Sequence, residues 1–127
     1  MNNLKNIFTT APKYASSFAI SKWKTLPNLT VEEILTKNGL TEKDINPSQH
    51  EFKAGIKRRE RDGNTQYIMS GIFIKGTNEL RIGREECDGY GIEEGMYRGG
   101  ELNGYGRFIN WGGDVYEGIY LDGNLQR

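Results

Sequence analysis

The stretch "GELNGYGRFINWGGDVYEGIYLDGN", residues 100–124, carries seven glycines, with aromatic side chains set between them. Glycine has no side chain to pack and weakens the interior of a strand, yet no other part of the chain looks so strand-like. A fixed spacing resolves the conflict. The pattern glycine, any residue, aromatic, two residues, glycine occurs as "GIFIKG" (71–76), "GMYRGG" (95–100) and "GIYLDG" (118–123). Gly71, Gly95 and Gly118 therefore recur at a nearly constant interval, and Phe73, Tyr97 and Tyr120 keep the same register, as do Gly76, Gly100 and Gly123. A period in the low twenties marks a repeat whose unit is one supersecondary element. Glycine/aromatic motifs recurring per hairpin point to a repetitive β architecture.

Within the unit, "YGRFIN" (105–110) and "VYEGIY" (115–120) alternate as strands do, around the turn "WGGD" (111–114). Asp122-Gly123 supplies the positive-φ dipeptide of the next tight hairpin. A lone hairpin is marginal in water, whereas stacked units bury a continuous strip. Phe73, Tyr97 and Tyr120 are accordingly expected in line on one face, each ring against the next, with the glycines admitting close backbone approach. Nearer the turns, Tyr90, Tyr105 and Trp111 are expected to form an exposed aromatic surface suited to a partner helix or strand. A short array also ends in an unpaired edge, which the N-terminal arm, a second copy or another protein would cover.

Upstream the pattern changes to helical. "TVEEILTKNG" (30–39) has Thr30 as N-cap, Glu33 to complete a capping box and Gly39 as stop, and "TEKDINP" (41–47) reads as one more turn closed by Pro47. Pro12 at a first-turn position and Tyr14, Ala15, Phe18, Ala19 and Trp23 at helical spacing predict an amphipathic helix over 12–24. Residues 50–76 alternate on both sides of "RDGN" (61–64), a hairpin that leads directly into the repeats. The expected fold is α+β and mostly β: a helical N-terminal arm and cap over 1–50, then stacked antiparallel β-hairpins over 51–127.

The 17 basic and 17 acidic residues cancel, so the whole-molecule field favours neither nucleic acid nor a membrane. The balance is uneven, since residues 1–31 hold Lys5, Lys13, Lys22 and Lys24 and no carboxylate. Cys87 is the only cysteine, which excludes an intrachain disulfide or a cysteine zinc cluster and leans towards a reducing compartment. No apolar run approaches the roughly 20 residues that span a bilayer. The start "MNNLKNIFTT" lacks the apolar core of a secretory signal; its acid-poor character suits a mitochondrial presequence, but it has no arginine.

Catalysis has little to draw on. His50 is the lone histidine, with no nucleophile motif nearby. Cys87 lies among Glu85, Glu86 and Asp88, which raise a thiol pKa, so it reads as structural. No dinucleotide or phosphate loop is complete. Glu85/Glu86 and Glu93/Glu94 lack calcium-loop spacing and read as exposed charges. Neither an enzyme nor a cofactor or metal is expected. In "KRRER" (57–61), strand alternation would point Lys57, Arg59 and Arg61 together. They suit edge protection, or contact with phosphate or an acidic protein, but so short a run is a weak footprint for nucleic acid.

The run "EEGMYRGGELNGYGRFINWGGDV" (93–115), followed by "YEGIYLDG" (116–123), resembles MORN (membrane occupation and recognition nexus) repeats. It covers one full repeat and the first half of another, and Gly104, Gly106 and Gly113 also fall on glycine positions of that family. Glu93 stands where such repeats open on tyrosine. The unit from Met69 to Ile92 keeps "GIFIKG" but has its "CDGYG" (87–91) displaced. The resemblance implies a non-enzymatic scaffold or accessory subunit of a larger cytoskeletal, ciliary or membrane-associated assembly in the cytoplasm. Protein partners would use the face around Tyr97, Tyr105, Trp111, Tyr116 and Tyr120, with segment 1–24 as a clasp, and self-association would instead run through a sheet edge. The alternative is a peripheral protein that binds anionic lipid through Lys13, Lys22 and Lys24, joined by Lys57, Arg58 and Arg59. A third reading takes the chain as a fragment of an enzyme, because MORN-like repeats also precede catalytic domains.

Overall fold

In the computed structural model, which describes residues 7–59, 62–63 and 65–126, the chain is mostly β. Seven antiparallel strands lie side by side in chain order. They are β1 (His50–Arg59), β2 (Gln66–Ile74), β3 (Leu80–Cys87), β4 (Gly91–Arg98), β5 (Glu101–Asn110), β6 (Val115–Leu121) and β7 (Asn124–Leu125). The hairpins are thus successive ribbons of one open sheet. Lys5, Arg61 and Asn64, named in the sequence reading, lie outside the described residues.

Two short helices precede the sheet, α1 (Ser17–Thr25) and α2 (Val31–Lys37), followed by a 3-10 turn at Glu42–Asp44. α2 begins as its sequence dictates, with the Thr30 hydroxyl accepting from the Glu33 amide at 3.0 Å. The reciprocal capping box appears on the 3-10 turn, between Thr41 and Asp44. α1 corrects the helix expected over 12–24. Ser16 caps it by accepting from the Ala19 amide at 3.0 Å. The amides of Lys13 and Tyr14 go instead to the Glu86 carboxylate on β3, the second at 2.8 Å. A buried carboxylate has captured the donors that a first helical turn would have presented, so Pro12 lies ahead of the helix.

The repeat glycines form a ladder across the sheet. Gly71 pairs with Gly83, Gly83 with Gly95, Gly95 with Gly106 and Gly106 with Gly118, linking β2 to β6. Gly71, Gly95, Gly106 and Gly118 each also clear the position two residues before an aromatic, on the same face, so the ring can lie back along its own strand. Tyr120 does so: it reaches over Gly118 to donate its hydroxyl to the Tyr116 carbonyl at 2.6 Å. Phe73, Tyr97 and Tyr120 share one buried strip, as expected, but the rings do not stack on one another. They sit on alternate strands, roughly 10 Å apart at two strand spacings. The register sets Phe73 opposite Leu80, Tyr97 opposite Leu102 and Tyr120 opposite Leu125, so leucines fill the gaps.

The opposite face is covered by the chain's own N-terminal half. Ile72, Ile82 and Tyr105 pack with Phe8, Leu29, Ile34 and Leu35, while Ile92 and Ile109 pack with Ala19 and Trp23 of α1.

Candidate functional site

On the covered face, charge fastens the arm to the sheet. Glu94 is wholly buried, and Glu85 and Glu86 are buried too, which corrects the reading of these acid pairs as exposed charges. The physical reason is pairing. One Glu94 oxygen accepts from Arg84 Nη2 at 2.9 Å, from its Nε at 3.0 Å and from the Trp23 indole at 3.2 Å; the other accepts from Arg107 Nη2 at 2.8 Å. Arg107 then donates to the Pro27 carbonyl at 2.9 Å and Arg84 to that of Thr10. A sheet carboxylate thereby holds two sheet arginines that grip the arm's backbone. Asn38, at the end of α2, accepts from the Tyr105 amide at 3.1 Å.

Tyr105 belongs to this face, packed under the arm rather than exposed near a turn. It is 8% exposed, its hydroxyl donates to Glu117, and the Lys37 ammonium lies 4.7 Å from its ring centre. Burial, followed by the Glu117 carboxylate, pushes its pKa well up. Tyr97 and Tyr120, 1% and 6% exposed, are core residues of the other face. Burial pushes the Tyr120 pKa up to about 12. Trp111 is half-buried, and its carbonyl accepts from the Ser16 hydroxyl. Only Tyr116, at 38%, is a largely accessible member of the expected set.

The second face has no described segment lying over it. There Tyr90, 55% exposed, stacks on Phe108 at 4.8 Å between ring centres, and Phe108 stacks on Tyr116 at 6.2 Å. Phe108 was missed in the sequence; as the register partner of both Glu93 and Tyr116 it sits at the centre of this row. A hollow of about 670 Å³ runs beside the row, lined by Trp111, Tyr116, Tyr120 and Leu125.

Next to it lies a larger cavity of about 810 Å³, lined by Arg58, Tyr67, Glu85, Cys87, Tyr90 and Glu93. Glu85 and Glu93 are directly opposed across β3 and β4. Arg58 Nη2 meets Glu85 Oε1 at 3.0 Å, with its guanidinium 4.2 Å from the Tyr67 ring centre. Glu93 has no cationic partner among the described residues. Desolvation first, and the Glu85 charge second, push its pKa up to about 7. The buried Tyr97 hydroxyl finds no acceptor at hydrogen-bond geometry, yet lies close enough to Glu93 to hold that rise back. Burial likewise raises the Cys87 thiol pKa, with Glu85, Asp88 and Glu93 adding to it and Tyr67 opposing.

Glu93 gives the fold a measurable pH dependence. Its folded pKa of about 7 lies above the ordinary 4.5. The stability this contributes is complete below about pH 4.5 and is lost as pH rises through 7. The loss is on the order of 2–3 kcal/mol across that window. Urea midpoints taken from pH 5 to pH 8 should fall accordingly, and Glu93→Gln should remove most of the slope.

The basic residues do not form one patch. Lys13, Lys22 and Lys24 are exposed on the arm, and on β1 Arg58 points to the opposite face from Lys57 and Arg59. His50 is half-buried, with Nδ1 3.1 Å from the Asn46 carbonyl. No protein-family model matches the chain, and no curated protein or solved structure is significantly similar to it.

Proposed function

We propose that the chain is a MORN-like adaptor module, a non-enzymatic subunit that holds a protein partner on the uncovered face of its sheet. The observation that carries this reading is the row Tyr90, Phe108, Tyr116, stacked ring on ring, on the face that the arm leaves open. A contiguous exposed aromatic patch is a costly surface to leave in water and marks an interaction site. Aromatic anchors beside a hollow are also where interface energy concentrates. Tyr116 and Trp111 of the expected set keep their contact role, joined by Tyr90 and Phe108. Tyr97, Tyr105 and Tyr120 shape the sheet beneath.

The lipid-surface reading has less behind it. Ala19 and Trp23, the apolar side of α1, pack against Ile92 and Ile109, leaving Phe18 as the exposed large apolar residue beside Lys22 and Lys24. Placement in a cytoskeletal or membrane-associated assembly follows from the MORN resemblance alone.

Photo-cross-linking in native cells tests the adaptor. Benzoylphenylalanine in place of Tyr116 should give a discrete protein adduct, and the same probe in place of Lys22 should not. A Tyr90→Ser/Phe108→Ser double variant should lose at least nine-tenths of the adduct. Recovery of the uncross-linked monomer alone from the Tyr116 position would overturn the proposal.

A further inference from the structure

We propose that the cavity beside β3 and β4 receives an organic cation, the guanidinium or ammonium of a basic side chain, with Glu93 as its counter-ion. The inference relies on the adaptor reading only for the source of that cation, a basic segment of the partner.

The chain contains its own template for such a site. On one side of the cavity, Arg58 sits on the Glu85 carboxylate and over the face of Tyr67. On the other, Glu93 and the ring of Tyr90, itself stacked on Phe108, offer the same two kinds of group with no arginine between them among the described residues. Ring faces and carboxylates together attract organic cations. Directly opposed like charges on neighbouring strands are unfavourable, and of this pair it is Glu85 that Arg58 meets, at 3.0 Å. The Tyr97 hydroxyl, wholly buried and without an acceptor at bonding geometry, lies close to the same carboxylate. The cavity of about 810 Å³ has room for a long side chain. Among the described residues, no group of three histidine, cysteine or carboxylate side chains could hold a metal ion, so the rings decide for an organic cation.

The groups that face Glu93 set the pH dependence of this site. They are Arg58 on β1, Tyr67 on β2, Glu85 and Cys87 on β3, Tyr90 in the following turn, Tyr97 on its own strand, Glu101 on β5 and Tyr120 on β6. The thiol and the Tyr90, Tyr97 and Tyr120 phenols are all shifted upward and stay neutral between pH 6 and 8. Glu93, with a pKa of about 7, changes charge across that range.

The test is a titration of the full chain with the peptide acetyl-Gly-Arg-Gly-Arg-Gly-amide, followed by amide nitrogen–proton NMR. Saturable shifts are expected at Glu85, Gly91, Glu93 and Phe108. Affinity should fall about tenfold from pH 8 to pH 6, as protonation leaves roughly a tenth of Glu93 ionised. Glu93→Gln should bind at least tenfold more weakly at pH 8 and show no such pH dependence. Shifts confined to other strands, equal binding by Glu93→Gln, or equal binding of the matching glutamate peptide would each overturn the proposal. The outcome is independent of the Tyr116 cross-link. An adduct without arginine-peptide binding refutes the cation site alone, and peptide binding without an adduct refutes the adaptor alone.

Discussion

Gly95→Ala is expected to destabilise the protein by about 4 kcal/mol or more, enough to unfold a marginal domain. A Cβ at this position would lie 2.5 Å from the Gly106 Cα and 2.6 Å from the Tyr105 carbonyl oxygen, both backbone atoms of the neighbouring strand. No rotamer change can make room there. β4 and β5 would have to part, and the residue would also have to hold a φ of +150°, which alanine resists. Because the ladder runs through Gly83, Gly95 and Gly106 in register, a spread at Gly95 disturbs both adjoining pairs. Gly99→Ala is the control. It has a φ of +61° and nothing within 4 Å of an added Cβ, so only the left-handed backbone penalty of about 1–2 kcal/mol remains. Urea denaturation followed by far-ultraviolet circular dichroism should separate the two by at least roughly 2 kcal/mol. Equal effects would mean that the repeat glycines serve their backbone angles rather than strand contact.

The repeat was legible because its glycines and rings recur at a spacing that does not depend on the rest of the chain. What it implied about packing was only partly legible. Phe73, Tyr97 and Tyr120 were visible as a set, but the leucines that separate them are found only by registering each strand against its partner. Leu80, Leu102 and Leu125 do keep nearly the same period as the rings, and so carried a usable signal. The start of α1 was obscured because the donors of the expected first turn are claimed by Glu86, 73 residues away from Lys13. The fate of the acid pairs was hidden for a related reason. Glu93 and Glu94 are neighbours in sequence but point to opposite faces, one into an open cavity and the other under the arm. Alternation gives the opposite facing; it does not say which face will be covered. Arg84 and Arg107 each directly follow a ladder glycine, at the interval of the repeat, and were the available clue that a buried counter-charge lay between them. For the aromatic site, Tyr116 and Tyr120 are separated by two positions of the same face, yet one is open and the other is core. Tyr120 lies opposite Leu125 on β7 and joins the buried strip with Tyr97 and Leu102, which Tyr116 does not reach.

Glu94→Gln tests whether the buried charge cluster is what holds the arm, and it is expected to destabilise by about 3–5 kcal/mol. Arg84 and Arg107, with side chains only 3% and 2% exposed, would keep their charges in the interior, where Arg84 loses its carboxylate and Arg107 is left with only the more exposed Glu117, 3.7 Å from its Nη1. Glutamine preserves the volume but offers one acceptor oxygen where Glu94 offers two. Its amide nitrogen would face one of the guanidinium donors. Glu93→Gln, at the adjacent position, should instead be neutral or stabilising at pH 8, because its carboxylate already favours the proton. The contrast removes general sensitivity of β4 as an explanation. The loss should appear first at the arm, since Trp23 donates to Glu94 and Arg84 and Arg107 hold the carbonyls of Thr10 and Pro27. Trp23 fluorescence should shift to the red, and trypsin should cut at Lys22 and Lys24 well before the sheet unfolds. Replacing Glu94, Arg84 and Arg107 together by apolar residues of similar size should recover much of the stability, because the cost lies in unanswered charge rather than in lost volume. If Glu94→Gln left both the urea midpoint and the tryptic pattern unchanged, apolar contacts of Ala19 and Trp23 with Ile92 and Ile109 would be sufficient to hold the arm. The cluster would then bear on which face of the sheet the arm chooses, and not on how firmly it is held.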